Sequence, residues 1–390
     1  MDTKKFRAPG GCRNKKIFIY GYFGAGNIGD ELILTAFLTM LDSFGVKFDV
    51  IIAVDNLKLY DAARLKSDFI NLNILFIQRH KNPLNYEIIK SFIASGAFII
   101  PGGGIFQDYN MLSFLCYYSF LLCSKIFGVK NYLMYQGLTG IKGRAARKLF
   151  ELAARRLIDY ISVRDAGSVR FLSKTRFGGG DCLRHYCDSA FLLKEAISEK
   201  IKTARPCAAA VGLSLRPWKG VKPADIAKVL SALVNWSGRK IKLYSMHKGA
   251  DCAFNAQTAA ALDEMTRSNI ILVEYSNDVI QLARSLHDNV LNIGMRFHFS
   301  VLSMCVGAPC IGLAYDEKVS ELYSEANLQQ LCLSGREFDE TMSGGAAPLL
   351  IRAGYALKNS GRIKSAVEIF AESCRKRAVN IFDDFYEKCL

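Results

Sequence analysis

Short apolar runs alternate along this chain with longer stretches whose apolar positions recur every three or four residues. In the first half the runs Ile17–Tyr20, Val50–Val54, Ile74–Ile77, Ala97–Ile100, Tyr132–Tyr135 and Tyr160–Val163 read as strands, with helical patterns such as Leu32–Leu41 between them. Strands separated by helices indicate right-handed βαβ units and a parallel sheet. The polar, lysine-rich segment Lys194–Pro206 interrupts the alternation, which resumes with strands expected at Ala208–Leu215, Ile241–Tyr244, Ile270–Val273, Val290–Ile293 and Cys310–Leu313. Helices are expected there at Ala224–Trp236 and Ala256–Thr266, and a long terminal one at Ser365–Tyr386. The α/β architecture expected is two doubly wound, Rossmann-like domains facing each other across a cleft, residues 1–200 and 206–360, followed by a C-terminal helix within 361–390.

Length and composition agree with that organisation. A chain of 390 residues exceeds one ordinary core, and 51% hydrophobic with 22% charged residues is globular. The formal net charge of +15 favours anionic partners: nucleic acid, an anionic membrane face or phosphorylated small molecules. The most apolar stretch, Leu112–Phe127, falls short of the ~20 residues that cross a bilayer, so it is expected to be a buried or partly membrane-facing helix. The basic start MDTKKFRAPGGCRNKK lacks an apolar signal core, which gives the expectation of a cytoplasmic protein. Twelve cysteines, scattered singly, read as reduced and mostly buried thiols.

Two glycine loops follow strands. Gly24-Ala-Gly26-Asn27-Ile-Gly29 satisfies the dinucleotide fingerprint, yet Asp30 and Glu31 occupy the helix turn on which a pyrophosphate would sit, and they would repel it. Asp55 ends the second strand, where a ribose-binding acid would stand. The loop therefore reads in three ways: a dinucleotide site, a plain tight turn, or a sugar site in which Asn27, Asp30 or Glu31 bonds hydroxyls. The second loop, Pro101-Gly102-Gly103-Gly104 with Asp108, lies past another strand of the same sheet, and Gly there leaves backbone N–H groups open to a ligand.

Arginines recur at strand ends: Arg164 before Asp165, Arg216 before Pro217, and Arg296 two residues before His298. The planar guanidinium fork matches carboxylate and phosphate, so three of them suit a small ligand bearing both groups. His298, one of five histidines and near a helix start, reads either as a packed core group or as an acid–base. The group Asp181-Cys182-Leu-Arg-His185-Tyr-Cys187-Asp188 matches no zinc spacing and reads as structural, and no metal cluster is visible elsewhere. His247-Lys248 follows a strand and reads either as a phosphate contact or as a basic loop.

Taken together, GYFGAGNIGDE, Pro101–Gly104 with Asp108, Ser162-Val-Arg164-Asp165 with Ser168, Gly212–Arg216 with Trp218, Arg296-Phe-His298, and Gly307-Ala-Pro309 running to Tyr315-Asp316-Glu-Lys318-Val319 resemble the polysaccharide pyruvyl transferase family in order and spacing. The family more often has leucine where Phe297 stands. Its triple-glycine segment is commonly followed by a longer polar stretch before the acid. The resemblance implies a GT-B-like fold and transfer of a pyruvyl group from phosphoenolpyruvate to a sugar of a cell-surface polysaccharide or its lipid-linked precursor. It also implies that Arg164, Arg296 and His298 serve donor binding or catalysis.

On that reading Arg164, Arg216, Arg296 and Lys318 bind the donor, while Gly26, Asn27, Asp30, Glu31, Gly103, Gly104 and Asp108 face the acceptor. No metal and no cofactor beyond the donor substrate is expected. The partners are phosphoenolpyruvate and a sugar or lipid-linked saccharide, with no nucleic acid, and the charge surplus suits contact with the cytoplasmic face of an anionic inner membrane. The rival readings are a GT-B-type glycosyltransferase using a nucleotide sugar, a non-catalytic sugar- or phosphate-binding protein of polysaccharide assembly, and an NAD reductase.

Overall fold

In the computed structural model, which describes residues 16–59, 68–175, 186–201 and 210–390, the strands expected from the apolar runs all form. They collect into two six-stranded sheets, each wholly parallel. The first contains β1 (Lys16–Tyr20), β2 (Phe48–Val54), β3 (Leu72–Gln78), β4 (Ala97–Ile100), β5 (Lys130–Gln136) and β6 (Tyr160–Val163), in the order β3-β2-β1-β4-β5-β6. The second contains β7 (Ala210–Ser214), β8 (Lys240–Tyr244), β9 (Ile270–Val273), β10 (Asn289–Gly294), β11 (Cys310–Leu313) and β12 (Cys332–Leu333), in the order β12-β11-β10-β7-β8-β9. Counted from its own first strand, each sheet has the doubly wound Rossmann order.

The central strands are buried along their length because helices cover both faces, which is why they read as unbroken apolar runs. On one face of the first sheet Phe18, Phe98, Phe92, Phe120 and Tyr117 form a continuous aromatic core. The last part of the terminal helix Ser360–Cys389 covers the other face: Phe382 meets Phe37 at 5.2 Å, and Phe385 meets Tyr132 at 5.3 Å and Tyr160 at 5.5 Å between ring centroids.

The chain divides into two units, and the division is not a single cut. The first comprises Met1–Ala25, Asp30–Leu192 and Cys374–Leu390; the second comprises Gly26–Gly29 and Leu193–Ser373. Three segments therefore fall differently from the expected ranges 1–200, 206–360 and 361–390, the first being residues 193–200, which join the second unit. The terminal helix is shared, because its aromatic end completes the first unit's core, and four residues of the first glycine loop belong to the second unit. Of the expected boundary segment, residues 202–206 lie outside the described residues, as do Met1–Lys15 and the group Asp181–His185.

Two local expectations change. The helix expected at Ala256–Thr266 is two helices, Ala250–Ala260 and Glu264–Arg267, because the Asp263 carboxylate caps the second by accepting from the Thr266 N–H at 2.8 Å and hydroxyl at 2.7 Å. Strand β12 has only two residues and no run long enough to announce it. The described cysteines carry free thiols, most of them buried, as expected.

Candidate functional site

Parallel sheets of this order bind ligands beyond the carboxyl ends of their strands, at the point where the strand order reverses. In the second unit that point lies between β7 and β10, and both strands end on an arginine. Arg216 follows β7, its guanidinium lying over the rings of Trp218 at 5.3 Å and Tyr315 at 4.9 Å, while Nη1 donates to the Tyr315 hydroxyl at 3.0 Å. Its buried Nε has no hydrogen-bond partner, which is costly unless an anion supplies one. Lys318, from the segment after β11, brings its ammonium to 5.4 Å from the Tyr315 ring and 3.3 Å from Asp316.

Arg296 follows β10 and stands at the position immediately before the helix Phe297–Cys305. Its Nε donates to Asp251 Oδ2 at 3.0 Å and its Nη2 to Oδ1 of the same carboxylate. Asp251 is fully buried in the first turn of the helix Ala250–Ala260, where the helix dipole favours a negative charge. The fork is thus fixed in direction by two parallel bonds, with Nη1 outside the pair.

His247, after β8, faces the same cluster. Its Nδ1 accepts from the backbone N–H groups of Gly249 at 3.2 Å and Ala250 at 3.3 Å, which places the proton of the neutral ring on Nε2. Burial lowers its pKa below the ordinary histidine range and the Arg296 charge lowers it further; Asp251 pulls the other way, and Arg216 adds a smaller lowering effect. His247 is therefore a neutral donor at pH 7.

Because its folded-state pKa is depressed, protonation favours the unfolded chain. The stability this group contributes is complete above about 6.5, the unfolded value, and falls as pH drops through 6.5 toward the lower folded pKa. In His247→Asn the amide oxygen replaces Nδ1 at the helix start, so the melting temperature near pH 8 should hold. The wild type should lose stability relative to this variant on acidification; parallel melting curves from pH 8 to 5 would refute this assignment.

The glycine loop resolves at the atomic level. Lys248 N–H donates to the Gly26 carbonyl at 2.8 Å, Ile28 N–H donates to the Met246 carbonyl at 3.0 Å, and Asn27 pairs with His247 as an isolated antiparallel bridge. Gly26 has φ +82°, and a Cβ there would stand 2.9 Å from Lys248 Cβ. A Cβ on Gly29 would stand 2.3 Å from His298 Nδ1, so the imidazole lies directly against that backbone. Two of the three glycines are thus required by His298 and Lys248. Asn27 turns its Oδ1 toward the Gly29 N–H at 3.4 Å.

In the first unit the reversal lies between β1 and β4, whose ends carry the two glycine loops. Gly24, at φ +75°, donates its N–H to the buried Glu31 carboxylate at 2.8 Å. Glu31 is thereby a brace for the loop, and Asp30 stays half-buried beside it in the same helix turn. Asp55, at the place of a ribose-binding acid, pairs through Oδ1 with Arg79 at 2.6 Å.

Gly103, at φ +99°, pairs with Gln136, and its carbonyl accepts from Gly137 N–H at 2.9 Å. Arg164 lies across this edge: a Cβ on Gly137 would stand 2.7 Å from its Nε, and one on Gly104 would stand 3.6 Å from its Nη2. Asp165 at 3.4 Å and the buried Asp188 at 3.8 Å balance its charge. Asp108, expected on the acceptor side, uses Oδ2 to hold the backbone N–H groups of Lys142, at 2.7 Å, and Gly143. The geometry gives that oxygen an anchoring task at the start of the helix Arg144–Arg156.

The structure therefore brings Arg216, Arg296, His298, Lys318, Gly26 and Asn27 into the second unit. Gly103, Gly104, Arg164, Asp30, Glu31 and Asp108 stand in the first. Sequence reasoning missed Asp251 and the orientation of His247. Only the position of His247 after a strand and ahead of a helix hinted at it, and Asp251 looks like any acidic helix start. Among the described residues no three His, Cys, Asp or Glu side chains gather to hold a metal ion.

A family model described as polysaccharide pyruvyl transferase matches residues 27–317. A search of curated proteins returns no match. Among solved structures, the S. aureus MnaA–UDP co-structure is similar over 96% of this chain and 97% of its own, at 12% identity and a TM-score of 0.61. The UDP-GlcNAc 2-epimerase from Neisseria meningitidis bound to UDP-GlcNAc matches over 96% and 100%, at 9% identity and 0.58. The E. coli ADP-heptose LPS heptosyltransferase II matches over 89% and 99%, at 11% identity and 0.51. At these identities the likeness is one of fold: two Rossmann-like domains, as in GT-B glycosyltransferases and related epimerases.

Proposed function

This chain belongs to the polysaccharide pyruvyl transferase family, and from that premise we propose that it transfers a pyruvyl group from phosphoenolpyruvate to two hydroxyls of a sugar in a polysaccharide or its lipid-linked precursor. The observation that carries the reading is the second unit's cationic strand edge. Arg216 and Lys318 share the Tyr315 ring there, and the charges of Arg296 and Arg216 both act on a neutral histidine donor, which suits a small ligand with a carboxylate and a phosphate. The glycine-lined edge of the first unit carries a fork of its own, Arg164.

The reaction balances without a redox partner. The donor's methylene carbon takes a proton and becomes a methyl group, leaving an oxocarbenium-like centre. One sugar hydroxyl adds to that carbon, the C–O bond to phosphate breaks, and the second hydroxyl closes the ketal. Of the two hydroxyl protons lost, one balances the methyl group and the other leaves with phosphate. His298 is the group assigned to proton transfer, Arg296 and Arg216 to the charge of the departing phosphate, and His247 Nε2–H to orienting the donor. Asn27, which pairs with His247 as an isolated bridge, is assigned to an acceptor hydroxyl, with Asp30 three residues on as a carboxylate. No cofactor beyond the donor enters the scheme.

Incubation with phosphoenolpyruvate and candidate lipid-linked saccharides should release inorganic phosphate and give an acceptor heavier by one pyruvylidene group in mass spectrometry. Release of a nucleoside diphosphate from a nucleotide sugar, with phosphoenolpyruvate inert, would replace this reading by a glycosyltransferase. Saturable binding with no product from either donor would favour a binding protein.

A further inference from the structure

Three helices lie side by side on one face of the first sheet: Tyr86–Ala94, Met111–Ile126 and Arg144–Arg156. Their inward residues, among them Ile88, Phe92, Phe114, Tyr117, Phe120 and Phe150, share one core with the strands. An outer-layer helix ordinarily turns a polar side to water. The middle one does not. Leu112, Leu115, Leu122 and Ile126 fall on one stripe opposite its buried side, with Leu112 83% and Ile126 74% exposed. On the preceding helix Tyr86 and Ile93 are 77% and 68% exposed. Cys116 and Cys123 donate to the carbonyls of Lys81 and Pro83, which ties the middle helix to the segment leading into the preceding one.

The third helix supplies the opposite character. RAARKLFELAARR presents Arg144, Lys148, Arg155 and Arg156 outward around a single acid, Glu151. Lys90 is exposed on the first helix, and Lys125 on the second is paired with Asp159 at 2.6 Å. An apolar stripe bordered by exposed cations fits acyl chains beneath anionic headgroups. At 16 residues the middle helix is ~24 Å long, short of the ~30 Å bilayer core, and no described helix is long and apolar enough to cross a membrane.

We propose that this helical face docks in the plane of an anionic lipid surface, with the Leu112–Ile126 stripe at the headgroup–acyl boundary and the Arg144–Arg156 helix over the headgroups. The surface lies on the unit whose glycine-lined strand edge carries Arg164, and it needs no substrate to act. Its test is therefore independent of the reaction proposed above.

The full chain should float with vesicles of mixed phosphatidylglycerol and phosphatidylcholine, bind pure phosphatidylcholine about 10-fold less, and release as salt rises. Leu112→Asp with Ile126→Asp should cut the partition at least about 10-fold. Arg144→Glu with Arg155→Glu should do the same for anionic vesicles while leaving the residual binding to neutral ones. All four positions are exposed, so melting temperatures should match the wild type; should either variant misfold, the lipid and salt dependence of the wild type still decides. Absence of wild-type flotation, or undiminished flotation of the Leu112/Ile126 variant, overturns the proposal. A dimer that this variant dissociates, without vesicle binding, assigns the face to a second copy of the chain and overturns it equally.

Discussion

Arg296→Lys should lower turnover by more than about 100-fold while the protein remains folded. Lysine keeps a positive charge near the buried Asp251 but has no planar fork. The paired bonds from Nε and Nη2 that aim the guanidinium disappear, and with them the direction of Nη1. Hydrogen bonds to charged groups contribute about 1.5–3 kcal/mol each, and one such bond lost from a transition state already costs one to two orders of magnitude.

Arg296→Ala is a poorer probe, because it strands a carboxylate with no exposed surface. Breaking a buried pair by removing one partner costs about 3–5 kcal/mol, so lost activity would be confounded with lost structure. Asp251→Asn provides the complementary test. It leaves an amide that can still accept from the guanidinium but removes the countercharge, so the fork should be less firmly held and donor KM should rise more than kcat falls. A variant Arg296→Lys with wild-type kcat/KM and an unchanged melting curve would remove the fork from the proposed mechanism.

The buried partner of Arg296 also marks the limit of what the sequence discloses. Apolar runs announced β1 to β11: the central strands are covered on both sides and must be apolar throughout, and the edge strands β3 and β9 read the same way although they are partly exposed. The same logic could not reveal β12, whose two residues leave no periodicity. The arginines at the ends of β6, β7 and β10 were legible since a strand end is a fixed address for ligand contacts. Their partners were not. Asp251 lies 45 residues before Arg296, and nothing in the local text distinguishes a buried acid from a solvated one at a helix start.

The glycine loop was misleading for a related reason. G-x-G-x-x-G records where backbone must come close to something, and it is silent on what approaches. In this chain Lys248 and the His298 ring approach Gly26 and Gly29, and Glu31 takes the N–H of Gly24. The carboxylates Asp30 and Glu31 did carry information, since they argued against a pyrophosphate on that helix turn. The fate of Asp108 had no signal at all: its partners are backbone N–H groups 34 and 35 residues away.

Gly29→Ala sets two known magnitudes against each other. Gly29 is the second residue of the helix Ile28–Ser43 and has no positive φ, so alanine there should stabilise the helix, by up to about 1 kcal/mol. The new methyl would stand 2.3 Å from His298 Nδ1 and 3.0 Å from its Cε1, closer than van der Waals contact permits. Overpacking of this kind costs about 1–3 kcal/mol, so the clash should win. The ring can escape only by rotating away or by carrying the start of its own helix with it, and either response moves the proposed proton donor. A displacement near 1 Å costs on the order of 100-fold in rate.

The expected result is therefore a kcat loss of about 100-fold with a modest fall in melting temperature. In a His298→Ala background the obstacle is gone, and the same Gly29→Ala change should become neutral or stabilising. That reversal of sign in a double-mutant cycle is the specific signature of the contact. Equal destabilisation in both backgrounds would mean that Gly29 is glycine for a reason unconnected with His298. The pattern GNIG would then lose its link to the His298 imidazole.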